Sequence, residues 1–270
     1  MIRYETESFK KYIEKAKPII LELLEEHDFL SQRSLQILME QNNFWHVVTW
    51  NAIRELKIEN KLRTAKYPPR GNFPMWIYRF DLRLSDIKDK IDREYKPLYK
   101  KFMKLSPQMG TYAEEIIEKA LTRAGYITLS HHEHTRYFRG RVYPRKNDLD
   151  FIAYREGVFY GIEVKNTLPY PNWEEDIISK KLVADYHGIQ FVMISRELGP
   201  YAYDLFQCGG LHIEFKRLIW SPNFSSLAKR IEEKLYFPIN CISEPDEDLI
   251  RKLDEIHFLH NKHFYGKGRI

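Results

Sequence analysis

Two acidic residues and a lysine lie close together in the middle of the chain. Residues 147–166 read NDLDFIAYREGVFYGIEVKN and include Asp150, Glu163 and Lys165. Carboxylates held side by side repel each other unless a cation lies between them, and hard oxygen ligands suit Mg²⁺ or Mn²⁺. A nearby ammonium group can orient an attacking water and offset charge that develops on a phosphate. Acid–acid–base patterns also arise by chance, so the surrounding elements decide whether these residues meet.

The residues around these charges predict a β-hairpin. Residues 151–154 and 158–164 are rich in β-branched and aromatic side chains, which favour strands. Between them Glu156-Gly157 can form a two-residue turn, although Glu-Gly is a weaker turn pair than Asn-Gly or Asp-Gly. We therefore predict that Arg155 pairs with Val158 across this turn.

The same register pairs Asp150 with Glu163. Directly opposed residues share a face of the sheet, with β-carbons about 5 Å apart. Lys165 joins that face because it lies two residues beyond Glu163, whereas Ile162 and Val164 point to the other face and into a core. An ordinary exposed sheet face with alternating charges is the alternative interpretation.

A helix before the hairpin supplies a third carboxylate. Residues 110–125 read GTYAEEIIEKALTRAG, and their apolar side chains follow helical spacing. Glu114 lies at the edge of that apolar stripe, whereas Glu115 points away from it. A carboxylate beside a core-facing stripe needs a partner, which a metal would supply, or else it extends to solvent.

The first 80 residues predict three helices followed by a short hairpin. Pro18 suits the first turn of a helix, and Ser31 can cap the next one. The third helix spans roughly residues 48–57 and ends near Asn60, which tolerates the left-handed conformation. Residues 62–80 then offer two short extended segments.

Composition limits the class of protein. The chain has 270 residues, 43% of them hydrophobic, which is enough for one large or two ordinary domains. Its net charge of +5 permits a polyanionic partner without requiring one. Cys208 and Cys241 stand far apart, which argues against a disulfide framework and a four-cysteine zinc site. The lack of a signal-like or membrane-spanning apolar run predicts a cytoplasmic, nucleoid-associated protein with no membrane partner.

Three segments of the chain together resemble the core of the PD-(D/E)xK nuclease superfamily: GTYAEEIIEKALTRAGY, NDLDFIA and GIEVKN. The likeness is closest to archaeal Holliday-junction resolvases and restriction-endonuclease-like proteins, and it covers roughly residues 106–195. It implies a restriction-endonuclease-like mixed β-sheet flanked by helices, and phosphodiester hydrolysis with Mg²⁺, for which Mn²⁺ can substitute. The catalytic residues that it implies are Glu114, Asp150, Glu163 and Lys165, with the three carboxylates as metal ligands.

The chain departs from the superfamily pattern just before the strand aspartate. Leu149 stands where the superfamily has the proline that names it. Asp148 competes with Asp150, because in the predicted register it points to the same face, one pair nearer the end of the sheet.

Basic residues around this core predict DNA contacts. Residues 172–187 predict a helix that carries Lys180 and Lys181, and the buried strand after it ends in Arg196; solvated surface charge is the alternative for each of them. Residues 131–146, HHEHTRYFRGRVYPRK, are basic and aromatic, as in segments that contact nucleic-acid strands, or they form an ordinary surface hairpin. Strand alternation would separate the three histidines of this segment, which argues against a three-histidine metal site.

The segment VTWNAIRELKIENKL resembles the third helix of winged helix-turn-helix domains, and the likeness covers about residues 16–80. In that family the third helix enters the major groove and the hairpin lies along the backbone. The resemblance implies that the DNA-facing helix residues are Thr49, Trp50, Asn51 and Arg54, and that the wing residues are Arg63, Lys66 and Arg70. A small helical domain that binds protein is the alternative.

These observations predict an α/β chain with a winged-helix domain in residues 1–83 and a connecting helix in 84–105. The nuclease core would occupy 106–220 and a helical extension 221–270, which could serve as the interface of a homodimer. The expected function is that of a Mg²⁺-dependent DNA endonuclease of the restriction or DNA-processing type. The alternatives are a DNA-binding regulator whose nuclease-like core no longer cuts, and an interaction module.

Overall fold

A computed structural model describes residues 7–70 and 73–260. The chain forms two compact units. The first runs to Leu105 and includes Lys229–Pro238, and the second comprises Ser106–Ala228 and the chain from Ile239 onward.

The α-helices are α1 (Glu7–His27), α2 (Gln32–Gln41), α3 (His46–Ile58), α4 (Leu84–Lys90), α5 (Lys96–Arg123), α6 (Ser179–His187), α7 (Tyr201–Gln207), α8 (Ser225–Leu235) and α9 (Glu247–His260). The strands are β1 (Phe29–Ser31), β2 (Leu62–Lys66), β3 (Met75–Arg79), β4 (Ile127–His131), β5 (Tyr137–Phe138), β6 (Arg141–Val142), β7 (Phe151–Arg155), β8 (Val158–Lys165), β9 (Gln190–Ser195), β10 (Leu211–Glu214), β11 (Leu218–Trp220) and β12 (Ile239–Cys241).

The first unit packs α1, α2 and α3 with a three-stranded antiparallel sheet in the order β1-β3-β2. Its core draws apolar side chains from each of these helices and from the sheet, among them Ile20, Leu35, Ile53 and Ile77. The three predicted helices and the two extended segments after them are therefore present.

Local signals explain where most of these helices begin and end. The Ser31 hydroxyl accepts a hydrogen bond from the backbone N–H of Ser34 at 3.0 Å, so it caps α2 as predicted. Asn60 has a φ of 57°, the left-handed conformation expected after α3. The prediction that Pro18 opens a helix is wrong, because α1 begins at Glu7 and continues through the proline. Buried side chains on both sides of Pro18 hold α1 together across it.

The predicted connecting helix of residues 84–105 continues beyond its predicted end. A π-helical turn, Ile91–Tyr95, follows α4 directly, and α5 follows that turn without a break. The wider turn lies just before Pro97, whose ring cannot fit against the preceding turn of a regular α-helix. α5 then passes through Pro107 and ends at Arg123. The predicted connecting helix and the predicted helix of residues 110–125 therefore form one continuous element.

The main sheet of the second unit has the order β10-β9-β8-β7-β4. β8, β9 and β10 run parallel, whereas β7 runs antiparallel to both β8 and β4. Side chains of α5 and α9 pack on one face, and side chains of α6 and α7 pack on the other. The predicted α/β class, with a mixed sheet flanked by helices, is confirmed. The described part of the predicted extension, residues 221–260, contributes to both units, since α8 extends into the first and α9 joins the core of the second.

Candidate active site

The hairpin β7–β8 has the register that the sequence predicts. Arg155 pairs with Val158, and the pairing continues to Phe151 and Ile162. The turn residues Glu156 and Gly157 have φ values of 44° and 89°, as a type I′ turn requires. The turn thus fixes the register despite its weak sequence signal.

Asp150 directly precedes β7, one residue before the pair of Phe151 with Ile162, so the predicted pair of Asp150 with Glu163 lies just beyond the observed ladder. The backbone N–H of Asp150 donates to the carbonyl of Ile162 at 3.0 Å, which holds Asp150 beside β8. Ile162 and Val164 belong to the core that includes α5, as expected from strand alternation. Glu163 therefore points to the α6 side of the sheet, where it is only 1% exposed.

Close packing beside Glu163 depends on a glycine. A β-carbon at Gly161 would lie 2.7 Å from Leu149 Cδ1 and 3.1 Å from the β-carbon of Ala184 on α6. Glycine is thus required here for close approach rather than for backbone conformation. It allows α6 to pack tightly against the strand that carries Glu163.

Two lysines flank the buried carboxylate of Glu163. Lys165 Nζ lies 2.9 Å from Oε1 and 3.3 Å from Asp176 Oδ1. Lys180 Nζ, on α6, lies 3.2 Å from Oε2 and 3.1 Å from Asp148 Oδ1. The contact of Lys180 with Oε2 lacks hydrogen-bond geometry, so Oε2 accepts no hydrogen bond from the described residues. One oxygen of a nearly inaccessible carboxylate can therefore still accept a hydrogen bond or bind a cation.

A second group of side chains meets at the end of the sheet. Glu114 on α5, Asp150 and His132 each offer a ligand atom, and these atoms lie within 4.8 Å of one another. His132 Nε2 is 3.6 Å from Glu114 Oε2, and its Nδ1 is 3.9 Å from Asp150 Oδ1. Asp150 Oδ2 accepts a hydrogen bond from the Val164 backbone N–H at 2.6 Å. That bond fixes the carboxylate and leaves Oδ1 directed toward the other two side chains.

The surroundings disfavour negative charge on all three carboxylates. Burial and, to a lesser extent, the charge of Asp150 raise the pKa of Glu163 to about 7 against the opposing effect of the two lysines. Burial also raises the pKa of Asp150 and of Glu114 above their usual ranges. For Lys165 burial works against the charged form, but the carboxylate of Glu163 outweighs it and raises the pKa. Lys165 thus remains an ammonium at neutral pH.

These residues fit a small divalent cation. An ion with bonds of about 2.1 Å holds neighbouring ligand atoms about 3–4 Å apart, which small side-chain rotations would reach from the present spacing. Carboxylate oxygens suit Mg²⁺ or Mn²⁺, and an imidazole nitrogen at His132 adds affinity for Mn²⁺ and other transition metals. A cation would also offset the burial and the mutual repulsion that raise the carboxylate pKa values. Glu114, Asp150 and His132 are the residues most directly placed to hold it, with Glu163 on the adjoining strand.

His132 and Lys180 are the site residues that sequence reasoning missed. His132 follows β4 with a φ of 47°. The cluster HHEH was the available signal, and its histidines do diverge, since His131 Nε2 lies 3.3 Å from Glu118 and not in the site. Lys180 was predicted to contact a DNA phosphate, and the structure adds that its Nζ lies against Glu163, because α6 packs directly over that residue.

The other residues outside the first unit that were predicted to bind DNA, and Thr49 within it, are paired or buried. Lys181 pairs with Asp185 on α6 at 2.7 Å, and its side chain is largely buried. Thr49 is fully buried, so the prediction that it faces DNA is wrong; it lies on the inward stripe of α3. Arg196 is also buried, and one of its nitrogens donates to the carbonyl of Leu168 at 2.8 Å.

Several predicted contacts in the first unit are already engaged within it. Asn51 donates to the carbonyl of Val47 at 2.8 Å, and Trp50 is half-buried against the core. The guanidinium of Arg63 donates to the Leu82 carbonyl at 3.1 Å and lies 4.7 Å from the ring of Phe80. The predicted residues that stay exposed are Arg54, Lys66 and Arg70.

Compared with protein-family models, curated proteins and solved structures, the chain shows no match to any of them. Within residues 7–70 and 73–260, none of the helices combines the length and the apolar character that crossing a bilayer requires.

Proposed function

We propose that the chain is a metal-dependent DNA endonuclease that hydrolyses phosphodiester bonds. The observation that carries the proposal is the carboxylate of Glu163, which is almost inaccessible, lacks a hydrogen bond at Oε2, and stands beside two more carboxylates and two lysines. Perturbed ionisable groups collect at functional sites because chemistry needs them there. The likeness of three sequence segments to the PD-(D/E)xK superfamily supports the same function.

Each side chain has a task that follows from its surroundings. Lys165 stays charged, so it acts as a cation and hydrogen-bond donor toward a phosphate or an attacking water, and not as a base. Its contacts with Glu163 and Asp176 hold the ammonium in place. Lys180 brings a second positive charge to the opposite oxygen of Glu163.

Glu114, Asp150, Glu163 and His132 would hold the cation. A bound Mg²⁺ or Mn²⁺ supplies polarisation of the phosphate and a more acidic water. The chain fixes where the ion binds: the Val164 backbone N–H orients Asp150, and Glu114 projects from α5 toward it. His132 distinguishes this set from one made only of carboxylates, and it predicts that Mn²⁺ supports activity at least as well as Mg²⁺.

We further infer that the first unit is a winged-helix domain that binds duplex DNA. Its elements follow the order helix, strand, helix, helix, strand, strand, with an antiparallel three-stranded sheet. The exposed side chains of Arg54, Lys66 and Arg70 are available to phosphates. A DNA partner would place the protein at the nucleoid, and a homodimer would supply one active site for each strand of a duplex.

The test is incubation of the purified protein with supercoiled plasmid in Mg²⁺, Mn²⁺ or EDTA. We expect metal-dependent nicking or linearisation by the parent and by Lys181→Ala, whose lysine pairs with Asp185. We expect none from Lys165→Ala. Cutting by Lys165→Ala at the parental rate would refute the assigned site. DNA binding by a folded parent that leaves the plasmid and branched DNA intact would favour a regulator with an inactive core.

A further inference from the structure

The segment between Thr135 and Asn147 carries an unusual charge. It contains five basic residues and no acidic one. Its formal charge therefore equals the +5 of the whole chain, and the remainder of the chain is balanced. Such a local excess marks a surface for a polyanion more sharply than the modest net charge of the protein does.

This basic segment is folded rather than a loose tail. β5 and β6 pair through Tyr137 with Val142 and Phe138 with Arg141. Arg139 and Gly140 have φ values of 48° and 74°, which again match a type I′ turn. The segment is thus a short hairpin with a defined shape, which we name the basic hairpin, residues 136–146.

Aromatic side chains seat the basic hairpin on the second unit. The Phe138 ring lies 5.2 Å from Phe159 and 5.8 Å from His187. Tyr143 is buried, with its ring 5.4 Å from that of Tyr186. These contacts fix the hairpin on the sheet and α6, so its outward side chains are presented from a stable base.

The outward side chains are cations without partners of opposite charge. Arg141, Arg145 and Lys146 are exposed, and no carboxylate of the described residues pairs with them. By contrast, Arg123 of the second unit pairs with Glu247. The charge of the basic hairpin is therefore free to act on an external anion.

Both ends of the basic hairpin lead into the active site. His132 precedes it, and Asp148 and Asp150 follow it. The hydroxyl of Thr135 donates to the His132 carbonyl at 2.6 Å and accepts from the Leu149 N–H at 2.8 Å, which joins the two ends. A strand held by the hairpin would consequently pass next to the site.

We propose that the basic hairpin binds the phosphate backbone of the nucleic-acid strand that enters the active site. Arg141, Arg145 and Lys146 would contact successive phosphates, for which guanidinium groups are especially suited. Tyr137, which is 60% exposed, offers a ring on which a base can stack. That this strand is the one cut rests on the proposed function, whereas phosphate binding itself does not.

The experiment measures binding without cleavage. Fluorescence anisotropy in EDTA follows a labelled DNA duplex, the same sequence as a single strand, and an RNA strand, over a range of salt concentrations. The variant is Arg141→Ala/Arg145→Ala/Lys146→Ala. Its charge-matched control is Lys100→Ala/Lys101→Ala/Lys104→Ala, which removes three exposed lysines of α5 in the first unit.

We expect the hairpin variant to bind DNA about 10- to 100-fold more weakly and its salt slope to fall by about 2 to 3, since each lost phosphate contact lowers the slope by about 0.9. The control should keep most of the parental affinity and slope. Arg141→Lys/Arg145→Lys should retain the slope, which would show that a loss in the alanine variant reflects charge and not misfolding.

Equal losses in the two alanine variants would overturn the proposal, because bulk charge would then explain them, and so would parental affinity in the hairpin variant. If the basic hairpin binds a polyanion other than nucleic acid, the hairpin variant alone should lose binding to polyglutamate. Its DNA binding should then stay at the parental level. A parent that binds DNA but never cuts refutes the proposed function and leaves the hairpin assignment standing. Preference among duplex, single strand and RNA identifies the strand that the hairpin accepts.

Discussion

Lys17 in the first unit and Glu163 in the second are both charged residues withdrawn from solvent, but their surroundings differ. Lys17 Nζ has a carboxylate oxygen within 2.7–2.8 Å from each of Glu14, Glu55 and Glu59. Although burial works against its charge, these hydrogen bonds raise the pKa of Lys17 and stabilise the ammonium. Glu163 has a raised pKa as well, but for a carboxylate this means that its charged form is disfavoured.

The difference separates a structural charge from a functional one. The network of Lys17 satisfies its cation and leaves nothing for a ligand to improve. The surroundings of Glu163 leave one oxygen without a hydrogen bond and place two other carboxylates nearby. A cation would relieve that arrangement, which is why we place the chemistry at the end of the main sheet.

The largest effect that would sharpen this comparison concerns two neighbouring glutamates of α5. Glu114→Gln should reduce DNA cleavage at least about 100-fold, because it removes a charge where the cation binds. Glu115→Gln should change the rate less than about twofold, since Glu115 is exposed and lies outside the cluster. Initial rates of plasmid nicking in saturating Mn²⁺ provide the measurement. Similar rates for the two variants would remove Glu114 from the site.

The next effect concerns the paired lysines of α6. Lys180→Ala should slow cleavage about 10- to 100-fold, because Glu163 loses the positive charge beside Oε2. Lys181→Ala should cut at nearly the parental rate, since Lys181 only pairs with Asp185. Both variants should keep the parental Tm within a few degrees. If Lys181→Ala were the slower enzyme, the helix would contact substrate through its outer face.

These residues also show how far the sequence alone can predict the site. The register of β7 and β8 follows from a local turn and strand alternation, and both are encoded within the hairpin itself. The edge position of Glu114 follows from helical spacing. Each of these inferences uses a period that neighbouring residues repeat.

The residues that were missed depend on contacts between distant segments. The position of His132 depends on how β4 pairs with β7, and that pairing shifts register between Thr128 and Ser130. No local pattern encodes such a bulge. Lys180 reaches Glu163 because α6 packs closely over Gly161, which is a tertiary contact.

The error at Thr49 had a different origin. Thr49 stands at helical spacing from Ala52, Ile53 and Leu56, all of which are buried. This spacing puts Thr49 on the inward stripe of α3, whereas the resemblance to a recognition helix implied that it faces DNA. The resemblance was applied to Thr49 without a check of its spacing from the apolar residues of the same helix.

A smaller effect tests the structural half of the comparison. Lys17→Met should lower the free energy of unfolding by about 1–3 kcal/mol, because three glutamates would then face one another without a cation. Lys11→Met, on the same helix, should change it by less than about 0.5 kcal/mol, since Lys11 forms an exposed pair with Glu7. Urea unfolding of both variants gives the values. Equal stabilities would show that the Lys17 network is as dispensable as a surface pair.

An effect of similar size tests the functional half, through the pH dependence of stability in EDTA. Between about pH 4.5 and 7 the folded protein holds more protons at Glu163 than the unfolded chain, so wild-type stability falls as pH rises through this window. The amide in Glu163→Gln does not titrate and escapes that loss. Relative to the wild type, the variant should therefore gain about 1–3 kcal/mol in unfolding free energy from pH 5 to pH 8.

Mn²⁺ should reverse this effect of pH on the stability of the wild type relative to Glu163→Gln. The ion binds the deprotonated carboxylates and competes with protons for them. At pH 8 the ion should raise the Tm of the wild type more than it does at pH 5.5, and it should raise the Tm of Glu163→Gln less at either pH. Glu115→Gln, changed at an exposed position, should follow the wild type throughout. A stability difference between Glu163→Gln and the wild type that ignored both pH and Mn²⁺ would mean that Glu163 is already as fully compensated as Lys17. The comparison of Glu163 with Lys17 would then no longer distinguish a functional residue from a structural one.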